Sequence, residues 1–524
     1  MADQELVTLT IEDVEVTVPK GTSIIDAAEK AGITIPRYCY HPGLPVAGVC
    51  RMCLVEIEGA PNLQVSCATP AADGQKVLVY SEKAKKARQG VLEFLLINHP
   101  LDCPICDQAG ECELQDFVFE EARADSRYSP TYAKRFDPVE DFGGDIIYVQ
   151  NRCIMCTRCV RFMANLADDR QISVQERGDR AFIGVHPGVE VNHPWAGNIV
   201  DLCPVGSLLS KDFLHKARAW ELDPTPSVCP GCSQGCNVEI DTLGETVARL
   251  RPRFNPEVNG HFMCDYGRSQ YKAMNSDGRL EIPMVKEGGE LKPQTWEAAL
   301  DKVATILKGS GGKVVALVSP RTSTEALSLL KEACGGSDFT GAFRVEKVPG
   351  EVPLPGFDNL ALREERAPNA TGARILGFTE DFDGAVTAIN GASVAIVLGD
   401  SLEGLESGAL QGAANVIFIG EFLPDMAESA AVVLPCASLA EEEGCYVNRD
   451  GRVQRYQPAK SPPGSARPAW HFLSELVALL ERGEKSNSAA DAFKAMAQSE
   501  PAFSGLDYEK IGKSGAMAQT GGTE

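Results

Sequence analysis

Sixteen side chains carry the chemistry legible in this sequence: fifteen of its eighteen cysteines and one histidine, all between Cys39 and Cys264. Cys39, Cys50, Cys53 and Cys67 read C-x10-C-x2-C-x13-C. His99, Cys103, Cys106 and Cys112 read H-x3-C-x2-C-x5-C. Cys153, Cys156 and Cys159 read C-x2-C-x2-C, and Cys203-Pro204 lies well downstream. Cys229, Cys232, Cys236 and Cys264 read C-x2-C-x3-C-x27-C. Four thiolate-rich quartets in a reduced compartment imply bound metal, and a row of iron–sulfur clusters implies electron transfer. Structural zinc is the competing reading, but zinc ribbons pair two short cysteine knuckles, and the first quartet has only one.

The elements that must position these ligands are short and local. Leu6–Ile11 and Val14–Val18 alternate apolar and polar residues around Glu12-Asp13, a hairpin signal. Thr22 or Ser23 caps a helix through Ala31 that Gly32 closes, and strands follow near Leu54–Ile57, Leu63–Val65 and Val77–Val79. This is the layout of a plant-type ferredoxin, although the first gap is x10 where those proteins have x4. Ser81 caps a helix over Glu82–Asn98, with Ala84, Ala87, Val91, Leu92, Leu95 and Leu96 as its apolar stripe. Pro100 ends it and leaves His99 beside Cys103, where a quartet otherwise lacks its fourth ligand. The polar stretch Asp125–Asp145, with Pro130, Pro138 and Gly143-Gly144, reads as a linker.

Bacterial ferredoxins lend the fourth cysteine of each run to the other cluster. Here the first run, NRCIMCTRCVRF, lacks its fourth cysteine, and the second is reduced to GNIVDLCPVGSL. One cluster on Cys153, Cys156, Cys159 and Cys203 is the consistent solution. His186 and His193 lie between and read as surface or structural residues. Thr225-Pro226 marks a further boundary. Beyond about Leu280, strands at Lys313–Val318, Ala392–Leu398 and Asn415–Gly420 alternate with helices such as Ser323–Ala333, which predicts a doubly wound α/β lobe. Cys334, Cys436 and Cys445 share no ligand spacing and read as small buried hydrophobes. From Gly483 onward the chain is rich in Ser, Ala, Gly and Lys and reads as a mobile or partner-docking tail.

Bulk properties exclude some functions. The net charge of −23 leaves no basic surplus for phosphate contacts, so nucleic-acid binding is excluded. No apolar run approaches the length of a membrane span. The acidic N-terminus MADQELVTLT lacks a signal or transit pattern, which predicts a cytoplasmic location where thiols stay reduced. There is no G-x-G-x-x-G after a strand and no recognisable FMN site, so NADH oxidation by this chain alone is not expected.

Several stretches resemble known proteins. RYCYHPGLPVAGVCRMCLVEIEG resembles the [2Fe–2S] domain of respiratory NADH dehydrogenases and related hydrogenases. HPLDCPICDQAGEC resembles the [4Fe–4S] domain of the same enzymes, in which one histidine and three cysteines are ligands. SVCPGCSQGCNVEI with GHFMCDYGR resembles the cluster-binding entry segment of molybdopterin oxidoreductases, which commonly have a basic residue two positions after the last cysteine. Tyr266 occupies that position here, which counts against a pterin. AAVVLPCASLAEEEGCYVNRDGRVQRYQPA resembles a stretch of the same fold. In this order, the motifs are similar to the large iron–sulfur (G) subunits of bacterial NADH:quinone oxidoreductase, respiratory complex I.

That resemblance implies a multidomain α+β and α/β chain. Its domains are a β-grasp [2Fe–2S] ferredoxin domain over 1–80, a helical histidine-ligated [4Fe–4S] domain over 81–122 and a ferredoxin-like [4Fe–4S] domain over 140–216. A molybdopterin-oxidoreductase-type [4Fe–4S] domain over 222–278, a truncated α/β lobe without pterin over 279–482 and a flexible tail over 483–524 complete it. The implied cofactors are one [2Fe–2S] and three [4Fe–4S] clusters, with no molybdopterin, FMN or NAD on this chain. The implied role is a non-catalytic subunit that takes electrons from an FMN- and NADH-binding flavoprotein toward quinone. The path runs through the [2Fe–2S], His99 and Cys153 clusters in turn, with the Cys229 cluster off the path. Other peripheral-arm iron–sulfur subunits are the remaining partners, and the chain is peripheral, on the cytoplasmic side of the inner membrane. The alternative is the iron–sulfur/molybdopterin subunit of an NAD-linked formate dehydrogenase or hydrogenase complex.

Overall fold

The computed structural model describes residues 5–128, 137, 139–335, 338–406 and 408–519. The chain divides into two compact units, Met1–Glu221 with Leu354–Asp358, and Leu222–Pro353 with Asn359–Glu524. The first three expected domains therefore share one unit, and the remainder forms the other.

In the first unit, alternation puts Val7, Leu9 and Ile11 inward on the strand Leu6–Ile11. That strand pairs antiparallel with Val14–Pro19 and parallel with Lys76–Leu78. Leu54–Ile57 and Gln64–Val65 complete a five-stranded sheet. The helix Ile24–Lys30 covers it with Ile24, Ile25, Ala27 and Ala28, and the Ser23 hydroxyl accepts from Asp26 N. The ferredoxin layout is thus present, with the first cysteine loop inserted between helix and sheet.

The helix Glu82–Asn98 begins at its Ser81 cap, but only part of the expected stripe is buried. Ala84 and Leu92 are inside, together with Arg88, whose Nη atoms donate to Glu121 at 2.8 Å and to the carbonyls of Leu54 and Val79. The linker expectation for Asp125–Asp145 fails at its end: Val139–Gly143 is a strand. It pairs with Ile146–Val149, which pairs in turn with Leu208–Ser210. Gly143 and Gly144 both have positive φ: Gly143 ends the strand, and Gly144 with Asp145 forms the turn of a hairpin. Pro130 and Pro138 lie outside the described residues. The boundary expected at Thr225-Pro226 falls a few residues earlier, between Glu221 and Leu222. Thr225-Pro226 itself lies inside Asp223–Val228, an edge strand of a three-stranded sheet, where proline is tolerated.

The second unit is built on a seven-stranded sheet. Val432–Pro435, Asn415–Gly420, Val394–Leu398, Lys313–Val318 and Asp338–Phe343 run parallel in that spatial order. Met284–Glu287 and Glu290–Pro293 add an antiparallel edge. Both faces are covered, which makes the strands near-continuous apolar runs. Val314, Ala316, Val318, Ile396 and Ile417 face the helices Trp296–Gly309, Thr324–Ala333 and Ala469–Leu479. Val315, Leu317, Val397 and Phe418 face the helix Phe382–Ala388. Cys334, Cys436 and Cys445 are buried in the first of these cores.

The tail expectation is overturned for the residues described. Ala489–Ser499 is a helix capped by Ser488, and Ala489, Ala492, Phe493 and Met496 pack into the core with Phe503, Tyr508 and Ile511. Ala516–Met517 then pairs with Arg452–Tyr456. The spacing of those four residues is an amphipathic stripe; its small alanines read as low complexity although they allow close packing. Residues 520–524 lie outside the described set.

Candidate metal centres

Cys53 leads into the strand Leu54–Ile57, and Cys67 follows its antiparallel partner Gln64–Val65. The peptide N–H of Ser66 donates to Cys53 O at 3.2 Å, so strand pairing holds these two thiols together. Cys39 and Cys50 come from the preceding loop. Hydrogen bonds from Cys50 and Cys67 hold the Cys39 thiol well below its usual range, and the Cys50 and Cys67 thiols are pushed up in exchange. Cys67 likewise lowers the Cys53 thiol. Gly48 has φ +65°, with no atom within 4 Å of where a Cβ would stand, so the loop turns there without crowding the sulfurs.

Two helix ends and a short turn build the second site. His99 is the C-cap of Glu82–Asn98, Cys112 is the N-cap of Glu113–Glu121, and Cys103–Ile105 is the turn between. His99, Cys103, Cys106 and Cys112 line one cavity of about 220 Å³ together with Leu96, Leu114, Val118 and Arg152. Gly206 is also in the wall, and a Cβ on it would lie 2.1 Å from Cys106 Sγ. Burial raises the Cys112 thiol to about 11.

In the third site, Met155 and Thr157 adopt left-handed conformations at φ 54° and 62°, which curls the C-x2-C-x2-C run around a centre. Cys153, Cys156, Cys159 and Cys203 line a single cavity with Tyr148, Val205 and Ser207. Met155 N donates to Cys153 Sγ at 3.4 Å. Burial pushes Cys156 up to about 12 and Cys203 to about 11. His186 is exposed, and His193 Nδ1 accepts from Trp195 N, so neither lines this cavity.

The fourth site lies in the second unit. Cys229, Cys232, Cys236 and Cys264 are all buried, and the Cys236 thiol, raised by burial, is raised further by the other three. Gly231 N donates to Cys229 Sγ at 3.4 Å, and Gly267 N to Cys264 Sγ at 3.3 Å. A Cβ at Gly267 would meet Cys229 Sγ at 2.8 Å and Cys264 Sγ at 3.5 Å, so one glycine touches the first and last ligands.

The donor sets fit polynuclear clusters. In the second and third sites the thiols stand around cavities, and in the third and fourth backbone amides point at sulfur. Among the described residues, no three His, Cys, Asp or Glu side chains close on one point as ligands of a single ion do. Buried thiols with raised pKa values stay protonated unless a cation replaces the proton, which is what bound iron does.

The sequence reading missed the residues that join the first three sites. Arg161 donates to the carbonyls of both Cys39 and Cys156. Arg158 holds Glu113 through both carboxylate oxygens at 2.7 and 2.9 Å, and donates to Tyr40 O and Leu202 O. Glu113 N donates to Pro204 O at 3.0 Å. Arg152, in the wall of the second site, pairs with Asp102 at 3.0 Å. The available signal was the repetition of arginine inside NRCIMCTRCVRF, where cations alternate with thiolates.

Family comparisons follow the same order. Residues 4–81 match a 2Fe-2S iron–sulfur cluster binding domain, and 88–127 match the NADH-ubiquinone oxidoreductase-G iron–sulfur binding region. Residues 143–209 match the ferredoxin-like domain of NADH-quinone oxidoreductase subunit 3. Residues 223–276 match the molybdopterin oxidoreductase Fe4S4 domain, and 368–479 match molybdopterin oxidoreductase. The chain is 42% identical over 329 residues to the mitochondrial NADH-ubiquinone oxidoreductase 78 kDa subunit of Neurospora crassa, covering 62% of this chain and 44% of that one. It is 39% identical over 327 residues to the G-type subunit of the Rickettsia conorii NADH-quinone oxidoreductase, covering 62% and 48%. The chain therefore spans less than half the length of these curated relatives. Among solved structures, an NAD+-reducing [NiFe]-hydrogenase in the H2-reduced state is similar with TM-score 0.36 and 29% identity, covering 40% of this chain and 90% of that one.

Proposed function

We propose that this chain, a homologue of the G and 75–78 kDa subunits of NADH-quinone oxidoreductases, carries electrons in the peripheral arm of such a complex. The observation that supports this most is the gathering of Cys153, Cys156, Cys159 and Cys203 around one cavity, and of His99, Cys103, Cys106 and Cys112 around another. A [2Fe–2S] cluster is assigned to Cys39, Cys50, Cys53 and Cys67, and [4Fe–4S] clusters to those two quartets and to Cys229, Cys232, Cys236 and Cys264. Bound there, the clusters supply one-electron redox chemistry. The chain's own residues set potentials and spacing through ligand type, amides at sulfur, burial and nearby arginine.

The contacts favour a path different from chain order. The third site shares Arg161 with the first, while Glu113–Pro204 and Gly206–Cys106 join it to the second. We place its cluster between the other two, with electrons entering from an FMN- and NADH-binding partner and leaving toward quinone through further iron–sulfur subunits. The fourth cluster is assigned off the path, as a stabiliser of its domain. Among the described residues no helix is long and apolar enough to cross a membrane; the chain is held through its partners, on the cytoplasmic side. The pterin-type lobe matched over 368–479 also favours a second reading, the iron–sulfur/molybdopterin subunit of an NAD-linked formate dehydrogenase or hydrogenase complex. Anaerobic purification with its partners decides between them. Iron with electron paramagnetic resonance signals for one two-iron and three four-iron clusters, and NADH:quinone activity without molybdenum, is expected. Stoichiometric molybdenum and pterin would replace the first reading with the second, and a colourless protein would sink both.

A further inference from the structure

Tyr266 stands two residues after Cys264, the last cysteine of the fourth quartet. The structure puts a cation there from elsewhere in the chain. The guanidinium of Arg366 lies 4.8 Å from the centre of the Tyr266 ring. Tyr266 in turn packs on the cysteine knuckle, its Cδ1 3.3 Å from where a Cβ of Gly231 would stand. The segment carrying Arg366 is tied to the same knuckle: Ser233 N donates to Glu365 O at 2.9 Å, and Arg321 bridges Pro230 O and Arg366 O at 2.8 and 2.9 Å.

Arg366 is 7% exposed, and its Nη1 is buried with no hydrogen-bond partner among the described residues. Its neighbour Arg363 is different, because Glu351 at 2.8 Å neutralises it. No described carboxylate forms an ion pair with Arg366, and Asp265, the acid beside Cys264, faces Arg268 at 3.9 Å. A buried, unpaired guanidinium is costly unless an anion faces it. Four thiolates on iron and sulfide are such an anion, and the segment of Arg366 is held against their knuckle through Ser233 and Arg321.

We infer that Arg366, held over Tyr266, is the counter-cation of the cluster on Cys229, Cys232, Cys236 and Cys264, and raises its reduction potential. This rests on the assignment of that quartet. Reduction adds one negative charge to the cluster, so a fixed cation favours the reduced form. The cluster is then easier to reduce than it would be without that cation.

The test is a redox titration of the assembled complex, following the resonance signal that Cys264→Ser abolishes. Arg366→Gln is expected to move that midpoint to lower potential and leave the other three clusters unmoved, while Arg366→Lys stays nearer the parent. An Arg366→Gln protein with the signal intact and the midpoint unmoved overturns the inference. If Arg366→Gln loses the cluster, Arg366→Lys decides. Retention of cluster and potential supports a charge role, and loss there too overturns it, because shape alone is then required. Absence of any such signal in the parent protein strikes the quartet assignment instead.

Discussion

A side-chain carbon on Gly206 would stand 2.1 Å from the sulfur of Cys106, although a hundred residues of chain separate them. Gly206 belongs to the loop that carries Cys203, so the floor of the second site is the back of the third. No sulfur tolerates that approach, and neither loop can retreat without moving its own cysteines. Gly206→Ala is therefore expected to lose the His99-ligated cluster and weaken the one on Cys203, read as missing iron and missing signals in the assembled protein. Both signals at full intensity would refute the shared wall.

His99 sits at a helix C-cap in a cavity with three cysteines. A neutral imidazole in place of a thiolate makes the cluster one charge less negative, as histidine does in Rieske centres. His99→Cys should lower the midpoint potential of that cluster, measured by redox titration. An unchanged midpoint would exclude His99 as a ligand.

Cys264 lies in the unit that does not contain the other three quartets. Cys264→Ser is expected to remove one [4Fe–4S] signal and leave NADH:quinone activity of the assembled complex largely intact. Collapse of activity with assembly intact would put this cluster on the path.

Phe493 is completely buried against Phe503 and Tyr508, at ring-centre distances of 5.8 and 5.7 Å. Phe493→Ala should destabilise the second unit by about 3–5 kcal/mol, the usual cost of emptying such a site. Thermal unfolding checks it. An unchanged melting temperature would restore the C-terminal segment to the role of a loose tail.

Glu325 is buried, and its carboxylate accepts from Cys445 N at 2.9 Å and from the Tyr508 hydroxyl at 2.7 Å. Burial outweighs those bonds and raises its pKa to about 7. A carboxyl that holds its proton more tightly when folded stabilises the fold below its unfolded pKa, near 4.5. That contribution disappears as pH rises through 7. Stability should fall between about pH 5 and pH 8, and Glu325→Gln should flatten that slope in denaturant titrations. An identical slope in the variant would assign the pH dependence to other groups.

The candidate ligands and most elements were legible because they are local. Cysteine spacing is read along the chain, Ser81 caps its own helix, and the runs at Lys313–Val318 and Val394–Leu398 are apolar because both sheet faces are covered. The misreadings share one cause. Gly143-Gly144 and the Ala/Ser-rich segment after Gly483 have the composition of loops, and only their partners show otherwise: Ile146–Val149 and the helix Thr324–Ala333 respectively.

By itself, then, the sequence determined which atoms could bind metal and roughly which turns and strands present them, since both follow from neighbours within a few residues. Tertiary structure alone decided that Arg161 reaches across to the loop of Cys39, that Gly206 belongs against Cys106, and that Arg366 takes the place Tyr266 leaves without a cation. Those contacts join residues about a hundred or more positions apart. They exist because the packed core brings distant segments together, and no spacing along the chain encodes them.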